Sequence, residues 1–209
     1  MIFSYYEVNK LPVIVIDKFY DDIAKQKIME ELFFLNNDHR KLLSPADTGS
    51  AWEPDDDAVD GKKYLKRNKG ISLDNIYSDR NVSNILSENR KLFSPAVTEE
   101  CANYHPLFRY LGAISKDATL VSYYEDSDYY APHMDNAALS AITWFHTTPK
   151  LFAGGDLIIE NELQIECISN RCVIIPSIAM HAVNEIKLDN NSGKNCGRFA
   201  ISQFCSFEI

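Results

Sequence analysis

The hydrophobic positions along this chain change their period near residue 118, from a helical repeat to short strand-like runs. In the first part, a β-branched run over residues 11–17 predicts a strand. The apolar positions that follow recur at near-helical spacing between lysines and glutamates, which predicts an amphipathic helix over about residues 21–36. Its apolar face would be formed by Ile23, Ile28, Leu32 and Phe33.

Two more helices are predicted over residues 78–93 and 97–111, where leucine and aromatic residues supply the apolar positions. Residues 37–75 show no clear period and are rich in turn residues and charges. Long irregular segments inside compact domains are often lids or binding loops. We therefore expect residues 44–75 to form a lid or binding loop, with an ordinary solvated surface loop as the alternative.

From residue 118 onwards, short apolar runs alternate with turn residues almost to the end of the chain. Helices followed by many short strands predict an α+β domain, in which a helical layer supports a closed or nearly closed β-barrel. We expect one domain over residues 1–209, with helical support and lid over about 1–117 and the barrel core over about 118–206. The main segments that predict strands are residues 119–124, 139–145, 154–159, 172–176 and 197–204.

Composition narrows the classes of function. The chain has 209 residues and a net charge of −9, which argues against binding a polyanion such as DNA or RNA. No apolar run is long enough to span a membrane, and the first residues lack the features of a signal peptide. The five cysteines are scattered and form no C-x-x-C motif, which predicts free thiols in a reducing compartment. We expect a cytoplasmic protein without nucleic-acid or membrane partners.

The stretch Tyr129–Asn136 carries the first candidate chemistry, because His133 and Asp135 lie two residues apart in it. In an extended segment, residues i and i+2 point to the same face, so one metal ion can bind both side chains. A third ligand must come from elsewhere, and His181 is the candidate. Two histidines and one carboxylate on one face of an octahedron form the facial triad of non-haem iron(II) oxygenases.

The His-x-Asp motif alone is a weak signal, since such a pair is more often a surface hydrogen bond, and a lone histidine is more often a core or edge residue. The order of the later segments strengthens the metal prediction. Arg198 begins the last strand, and a guanidinium suits a carboxylate ligand because it donates two parallel hydrogen bonds. Ser202 falls on the same face as Arg198 and could donate another. The alternative for Arg198 is a surface salt bridge.

Taken together, these motifs resemble the Fe(II)- and 2-oxoglutarate-dependent dioxygenases, most closely their prolyl 4-hydroxylase-like branch. The resemblance covers roughly residues 118–206, and the opening run over residues 11–19 also looks like the start of such domains. The segments that carry it are residues 120–125, 130–136, 154–157, 181–183 and 197–202.

The resemblance implies a double-stranded β-helix, which is a jelly-roll barrel of the cupin type, with iron bound inside one mouth by the three candidate ligands. It implies Fe(II) as the cofactor, 2-oxoglutarate and O2 as cosubstrates, and ascorbate as a candidate auxiliary reductant. Arg198 would hold the C5 carboxylate of 2-oxoglutarate. The other residues implied to line this pocket are Tyr124, with Tyr123 as an equally close alternative, Tyr130 and Ser202, and local core packing is the alternative for the tyrosines.

The implied reaction is hydroxylation of an unactivated C–H bond, coupled to conversion of 2-oxoglutarate to succinate and CO2. A prolyl residue of a protein or peptide is the first candidate substrate. The alternatives are a free amino acid or other small molecule, or a non-enzymatic barrel that senses metal or 2-oxoglutarate. Two departures from the family pattern stand out. The long gap between His181 and Arg198 predicts an expanded hairpin over residues 184–196, and Trp144–His146 stand where a tyrosine-containing strand is common.

Overall fold

The computed structural model describes residues 1–37, 42–48, 52–189 and 193–208. Within these ranges the helices are α1 Asp22–Asn37, α2 Asn84–Glu88 and α3 Pro95–Tyr104. The strands, in chain order, are β1 Ile2–Val8, β2 Leu11–Asp17, β3 Trp52–Pro54, β4 Lys62–Tyr64, β5 Lys69–Ser72, β6 Lys116–Tyr124, β7 Tyr130–His133, β8 Leu139–Phe145, β9 Phe152–Ala153, β10 Leu157–Ile159, β11 Leu163–Ile165, β12 Cys172–Pro176, β13 His181–Val183, β14 Lys187–Leu188 and β15 Arg198–Ser206.

Two antiparallel sheets form the barrel. The larger has the strand order β1-β2-β12-β8-β15-β6-β5, and the smaller has the order β11-β10-β13-β7. Apolar side chains from both sheets, such as Trp144 of the larger and Leu157 of the smaller, belong to one buried cluster. The sheets therefore pack face to face, and the expected α+β fold with a double-stranded β-helix is confirmed.

The outer face of the larger sheet packs against the helices, and a second buried cluster joins Ile28 of α1 to Val121 of β6 and Phe199 of β15. Helix α1 confirms the prediction over residues 21–36 to within one residue at each end. Its predicted apolar face is wrong at Ile23, whose side chain is exposed. The buried stripe of α1 begins instead at Ala24, and the next position back lies about 100° around the helix from that stripe.

A buried carboxylate joins the first two helices. Glu31 lies in the buried stripe of α1, and its Oε1 accepts a hydrogen bond from Ser83 Oγ at 2.7 Å. Its Oε2 accepts a second from the backbone N–H of Ile85 at 2.9 Å. Ser83 is also the N-cap of α2 and accepts from the N–H of Leu86 at 3.1 Å. The start of α2 is thereby fixed on α1.

The other two predictions are wrong in that neither range forms one continuous helix. Residues 78–93 form a 3₁₀ turn, α2 and a further 3₁₀ segment, because Ser83 is extended and begins a new helix as its N-cap. Residues 97–111 divide at His105, where α3 ends and a 3₁₀ segment, Pro106–Ala113, begins. Proline lacks the N–H that a continuing helix needs, and it keeps the residue before it extended.

The segment predicted as irregular over residues 44–75 contains three short strands, β3, β4 and β5, so the prediction of irregular structure is wrong there, while its role as a lid or binding loop stays a prediction. The β3–β4 pair forms a hairpin, and β5 is the edge strand of the larger sheet. Just before β5, Arg67 N–H donates to Tyr129 O at 3.1 Å, and Ala131 N–H donates to Leu65 O at 2.7 Å. Residues 65–72, here called the junction strand, therefore pair with β7 of one sheet and β6 of the other. Gly49–Ala51 lie outside the described residues.

The segment between His181 and Arg198 also differs from its prediction as an expanded hairpin. Lys187 and Leu188 form β14, which pairs with β9 rather than with β15. Asn190–Ser192 lie outside the described residues. In the part of the chain that the structure covers, all five cysteines are free thiols, and no helix combines the length and apolar character needed to cross a membrane.

Candidate active site

The structure brings the three predicted metal ligands together on the smaller sheet. His133 ends β7, His181 begins β13, and the two residues face each other in the register of that strand pair. Asp135 follows β7 and reaches between them. Its Oδ1 lies 3.6 Å from His133 Nε2, and its Oδ2 lies 3.4 Å from His181 Nε2. One donor atom from each side chain falls within a span of 4.8 Å.

Backbone contacts set the orientation of both imidazole rings. His133 Nδ1 lies 2.9 Å from Ala131 O, and His181 Nδ1 lies 2.9 Å from Ala179 O. A carbonyl oxygen only accepts, so each Nδ1 carries the proton that it donates. With Nδ1 occupied, the Nε2 atom of each ring faces the Asp135 carboxylate and is the atom that can bind a metal, as found for metal-ligating histidines.

Two buried serines hold the carboxylate of Asp135. Ser140 Oγ donates to Asp135 Oδ2 at 2.6 Å and lies 2.8 Å from Ser177 Oγ. The backbone N–H of Asp135 donates to Ser177 O at 3.0 Å. Sequence reasoning missed both serines. The only available signal was a hydroxyl inside each of two otherwise apolar segments.

The two histidines differ in their affinity for a proton. Burial, together with the charge of His181, lowers the pKa of His133 to about 4. Burial also opposes the charged form of His181, but its hydrogen bond to Asp135 outweighs this and raises the His181 pKa above its ordinary value. For Asp135, burial opposes the charged form, yet the bonds from His181 and Ser140 hold its pKa below the ordinary value. The proton that a metal must displace therefore resides on His181.

These donors fit a divalent transition metal. Two neutral imidazoles and one carboxylate suit iron, zinc or similar ions. Ligand atoms at adjacent corners of an octahedron with bonds of about 2.1 Å lie roughly 3 Å apart, close to the carboxylate–imidazole distances. His133, Asp135 and His181 would hold the ion, and the rest of its coordination sphere would face the barrel interior.

Arg198 lies in the same cavity, and it is almost fully buried at 1% exposure. Its guanidinium carbon sits 4.6 Å from the ring centre of Tyr124 and 5.5 Å from that of Trp144. Its three nitrogens have no hydrogen-bond acceptor among the described residues, and the indole N–H of Trp144 lacks one too. The alternative of a surface salt bridge is thus excluded, and the buried donors remain available for an anionic ligand.

The other predicted pocket residues also reach this cavity, whose volume is about 60 Å³. Tyr124, Tyr130 and Ser202 line it. Tyr130 stacks on His133 with ring centres 3.6 Å apart and planes at 11°. Of the two tyrosines left open by the sequence, Tyr123 faces the helices instead, and its hydroxyl accepts from Gly197 N–H at 3.2 Å.

Gly155 is a further residue that shapes the pocket. It adopts φ +75°, and a Cβ at this position would lie 2.9 Å from Arg198 Cδ. Glycine alone provides both the backbone conformation and the space for the arginine stem. The Gly154–Gly155 pair was visible in the sequence as a turn, but its contact with Arg198 was not.

No protein-family model and no curated protein matches this sequence. Solved structures do match the fold. A prolyl-4-hydroxylase from Pseudomonas putida is 10% identical, with 94% of this chain and 93% of that one covered, at a TM-score of 0.56. The viral collagen prolyl hydroxylase of Paramecium bursaria Chlorella virus-1, as a complex with 2-oxoglutarate, is 10% identical over 94% and 96% of the two chains, at a TM-score of 0.52.

A third similar structure is the non-haem α-ketoglutarate-dependent epimerase SnoN of nogalamycin biosynthesis, 12% identical over 93% of this chain and 77% of that one, at a TM-score of 0.53. This chain therefore shares the double-stranded β-helix fold of these three structures. At such low identity the likeness shows the fold alone. The chemistry of this chain depends on the residues that line its own cavity.

Proposed function

We propose that this protein is an Fe(II)- and 2-oxoglutarate-dependent oxygenase that hydroxylates an unactivated C–H bond. The observation that carries the proposal is the buried, unpaired guanidinium of Arg198 in the same cavity as the His133–Asp135–His181 cluster. A buried arginine or a His–Asp–His cluster alone occurs in many proteins. Together they define a ligand that is an anion at one end and binds metal at the other.

The reasoning starts from the energetics of burial. An unpaired charge inside a protein costs several kcal/mol, so a guanidinium kept there without an acceptor favours binding of an anion. The ligand that satisfies both parts of the cavity has a carboxylate for Arg198 and a metal-chelating group at its other end. 2-Oxoglutarate has this constitution. Tyr124, Ser202 and the indole N–H of Trp144 would supply further donors to its distal carboxylate.

Bound iron(II) would supply the activation of O2 that drives substrate oxidation, together with decarboxylation of 2-oxoglutarate to succinate. The chain positions the reactants and excludes water. Arg198 orients 2-oxoglutarate at one end, and Ser140 keeps Asp135 ionised and aimed at the metal. Tyr130 shields one face of His133.

A prolyl residue of a protein or peptide is our first proposed substrate. Two of the similar structures are prolyl hydroxylases, which supports this choice. A free amino acid or other small molecule is the second candidate, since the same fold also serves an epimerase of nogalamycin biosynthesis. A reducing compartment such as the cytoplasm would suit the ferrous ion and the free thiols.

The decisive test is turnover of the cosubstrate. Anaerobic addition of Fe(II) and 2-oxoglutarate should give a weak visible charge-transfer band, and admission of O2 should yield succinate. His133→Ala should abolish succinate formation. His146→Ala is the matched control, because His146 lies outside the cavity and its ring contacts Ser169 N–H and Thr147 O.

Equal succinate release by the wild type and His133→Ala would refute the catalytic proposal. Binding of metal and 2-oxoglutarate without any turnover would identify the barrel as a sensor instead. Prolyl peptides and free amino acids, assayed side by side for hydroxylated product, separate the two substrate candidates.

A further inference from the structure

The junction strand places polar side chains on its buried face, where strands usually carry apolar residues. Its side chains alternate between buried and exposed positions, and the buried ones include Lys66 and Asn68, at 3% and 0% exposure. Arg67 and Lys69, between and after them, are exposed. A strand with one buried face normally places apolar residues inside, so polar side chains at these positions need a reason.

The backbone pairing shows which way Lys66 points. Lys66 lies opposite Tyr130, and the hydrogen bonds on either side run from Arg67 to Tyr129 and from Ala131 to Leu65. Lys66 and Tyr130 therefore form a non-hydrogen-bonded pair of the antiparallel ladder, and their side chains lie close together on the same face. Tyr130 lines the cavity and stacks on His133, so Lys66 lies next to the ring that forms the cavity wall beside the metal cluster.

Lys66 has no counter-ion among the described residues. Its Nζ lies 5.6 Å from the Tyr130 ring centre, and no carboxylate within the described ranges is close enough to form an ion pair with it. Burial alone lowers the pKa of Lys66 to about 8. By contrast, the exposed Lys69 pairs with Glu125 at 3.1 Å. Asn68 repeats the pattern, because its Oδ1 is buried and no described residue donates to it.

We propose that Lys66 binds a carboxylate of the primary substrate and that Asn68 accepts an N–H near that carboxylate. The inference rests on the proposed oxygenase function and narrows its substrate candidates to those that carry a carboxylate: a free amino acid, or a peptide with an acidic residue close to the residue that is hydroxylated. One ammonium balances the charge of one carboxylate, and the hydrogen bonds between them are charge-assisted. An open groove of about 560 Å³ beside His133 and Asp135 provides room for the rest of the substrate.

The test compares carboxylates with their neutral amides. The probes are the free L-amino acids with their amino-acid amides, and acetylated, N-methylamidated Asp and Glu with the corresponding Asn and Gln compounds. The readout is succinate formed from 2-oxoglutarate above the rate without a probe. In the wild type, at least one carboxylate should raise this rate tenfold or more, while its amide should not. Lys66→Met should lose this stimulation. The control variant Lys69→Met, which removes an exposed charge from the same strand, should keep it.

Thermal unfolding separates recognition from a structural role. A lysine that holds the fold together would lower Tm when replaced, whereas removal of an unpaired buried charge should leave the Tm of Lys66→Met equal or higher. Stimulation by amides as well as acids, stimulation that survives in Lys66→Met, or no response to any carboxylate overturns the inference. If these results occur while the wild type binds and consumes 2-oxoglutarate, the oxygenase proposal stands. Absence of 2-oxoglutarate binding and turnover defeats both.

Discussion

His133 and His181 share one cavity yet hold protons very differently, and this has a consequence for metal binding. A metal must bind neutral imidazoles, so affinity falls with acidity wherever a ligand is protonated in the free protein. The pKa of His181 is raised by Asp135, while that of His133 is lowered to about 4. Over the range between those two values, one proton competes with the metal.

We therefore predict that the logarithm of the Zn(II) or Mn(II) association constant falls with a slope of about one per pH unit below the His181 pKa. The slope should steepen only near pH 4, where His133 also becomes protonated. Competition titrations with a chelator of known affinity between pH 4.5 and 8 measure this. A slope of two across the whole range would contradict the assignment of protons.

Arg198 should control binding of 2-oxoglutarate rather than binding of metal. Arg198→Met should weaken 2-oxoglutarate binding by roughly 100-fold or more, since a buried charge pair that loses one partner costs about 3–5 kcal/mol. Trp144→Phe, which removes one neutral donor, should weaken it by about tenfold. Calorimetric titration of the Zn(II) form gives both values. As a control, Arg171→Met removes an arginine that pairs with Asp17 away from the cavity, and it should bind 2-oxoglutarate normally. Loss of metal affinity in Arg198→Met would contradict its place in the site.

At the residue scale, residue type and order along the chain were enough to predict that His133, Asp135, His181 and Arg198 lie together, because few side chains can do the proposed chemistry. They were not enough for Ser140, Ser177 or Lys66. Serine and lysine occur everywhere, and what distinguishes these three is a neighbour across a strand pair or a missing counter-ion. Neither can be seen before the register is known.

At the scale of secondary-structure elements, the turn before β10 shapes the pocket, because its backbone conformation leaves space for the Arg198 side chain. Gly155→Ala would force an L-residue into φ +75° and place its Cβ 2.9 Å from Arg198 Cδ. We predict weaker binding of 2-oxoglutarate, by about fivefold or more, with metal affinity retained. Gly112→Ala is the control, because no atom lies within 4 Å of a Cβ built there. Unchanged 2-oxoglutarate affinity in Gly155→Ala would show that Arg198 does not depend on this turn.

The link between α1 and α2 should show in stability. Glu31→Gln replaces an oxygen that accepts from Ser83 or Ile85 with an amide nitrogen that cannot accept, and this should cost about 1–3 kcal/mol. For a domain of this size the loss corresponds to a fall in Tm of roughly 2–12 °C. Glu30→Gln, on the exposed side of the same helix, should change Tm little. Equal Tm values for the two variants would contradict the buried role of Glu31.

The elements differ in how well the sequence predicts them. Helix α1 and the apolar strands follow their hydrophobic period, since each presents one continuous buried face. The two later helices broke where local chemistry overrode that period, at Ser83 and Pro106. The junction strand gave no strand signal, because its inward positions include Lys66 and Asn68 where apolar residues were expected.

For the whole molecule, a ligand held at both ends of the cavity should stabilise the barrel as a unit. 2-Oxoglutarate at about 100 times its Kd adds roughly 2.7 kcal/mol, which we expect to raise Tm by about 5–10 °C in the Zn(II) form. Glutarate is the control, because it keeps the distal carboxylate but lacks the chelating keto group, and its effect at the same concentration should be small. Thermal scans with and without Zn(II) measure this. Equal shifts for the two acids would show that the metal end takes no part in binding.

The way residues 65–72 bridge the two sheets has a consequence for how such a barrel can diversify. His133, His181 and Arg198 lie on strands within the sheets and Asp135 follows β7, whereas Lys66 and Asn68 lie just before β5, on a stretch that meets both sheet edges through its backbone. Backbone pairing tolerates exchange of side chains. Under the functions proposed above, a few replacements on that one stretch would change which substrates bind and leave the residues of the proposed metal and 2-oxoglutarate sites unaltered, so selection, or a protein engineer, could change substrate choice and chemistry independently.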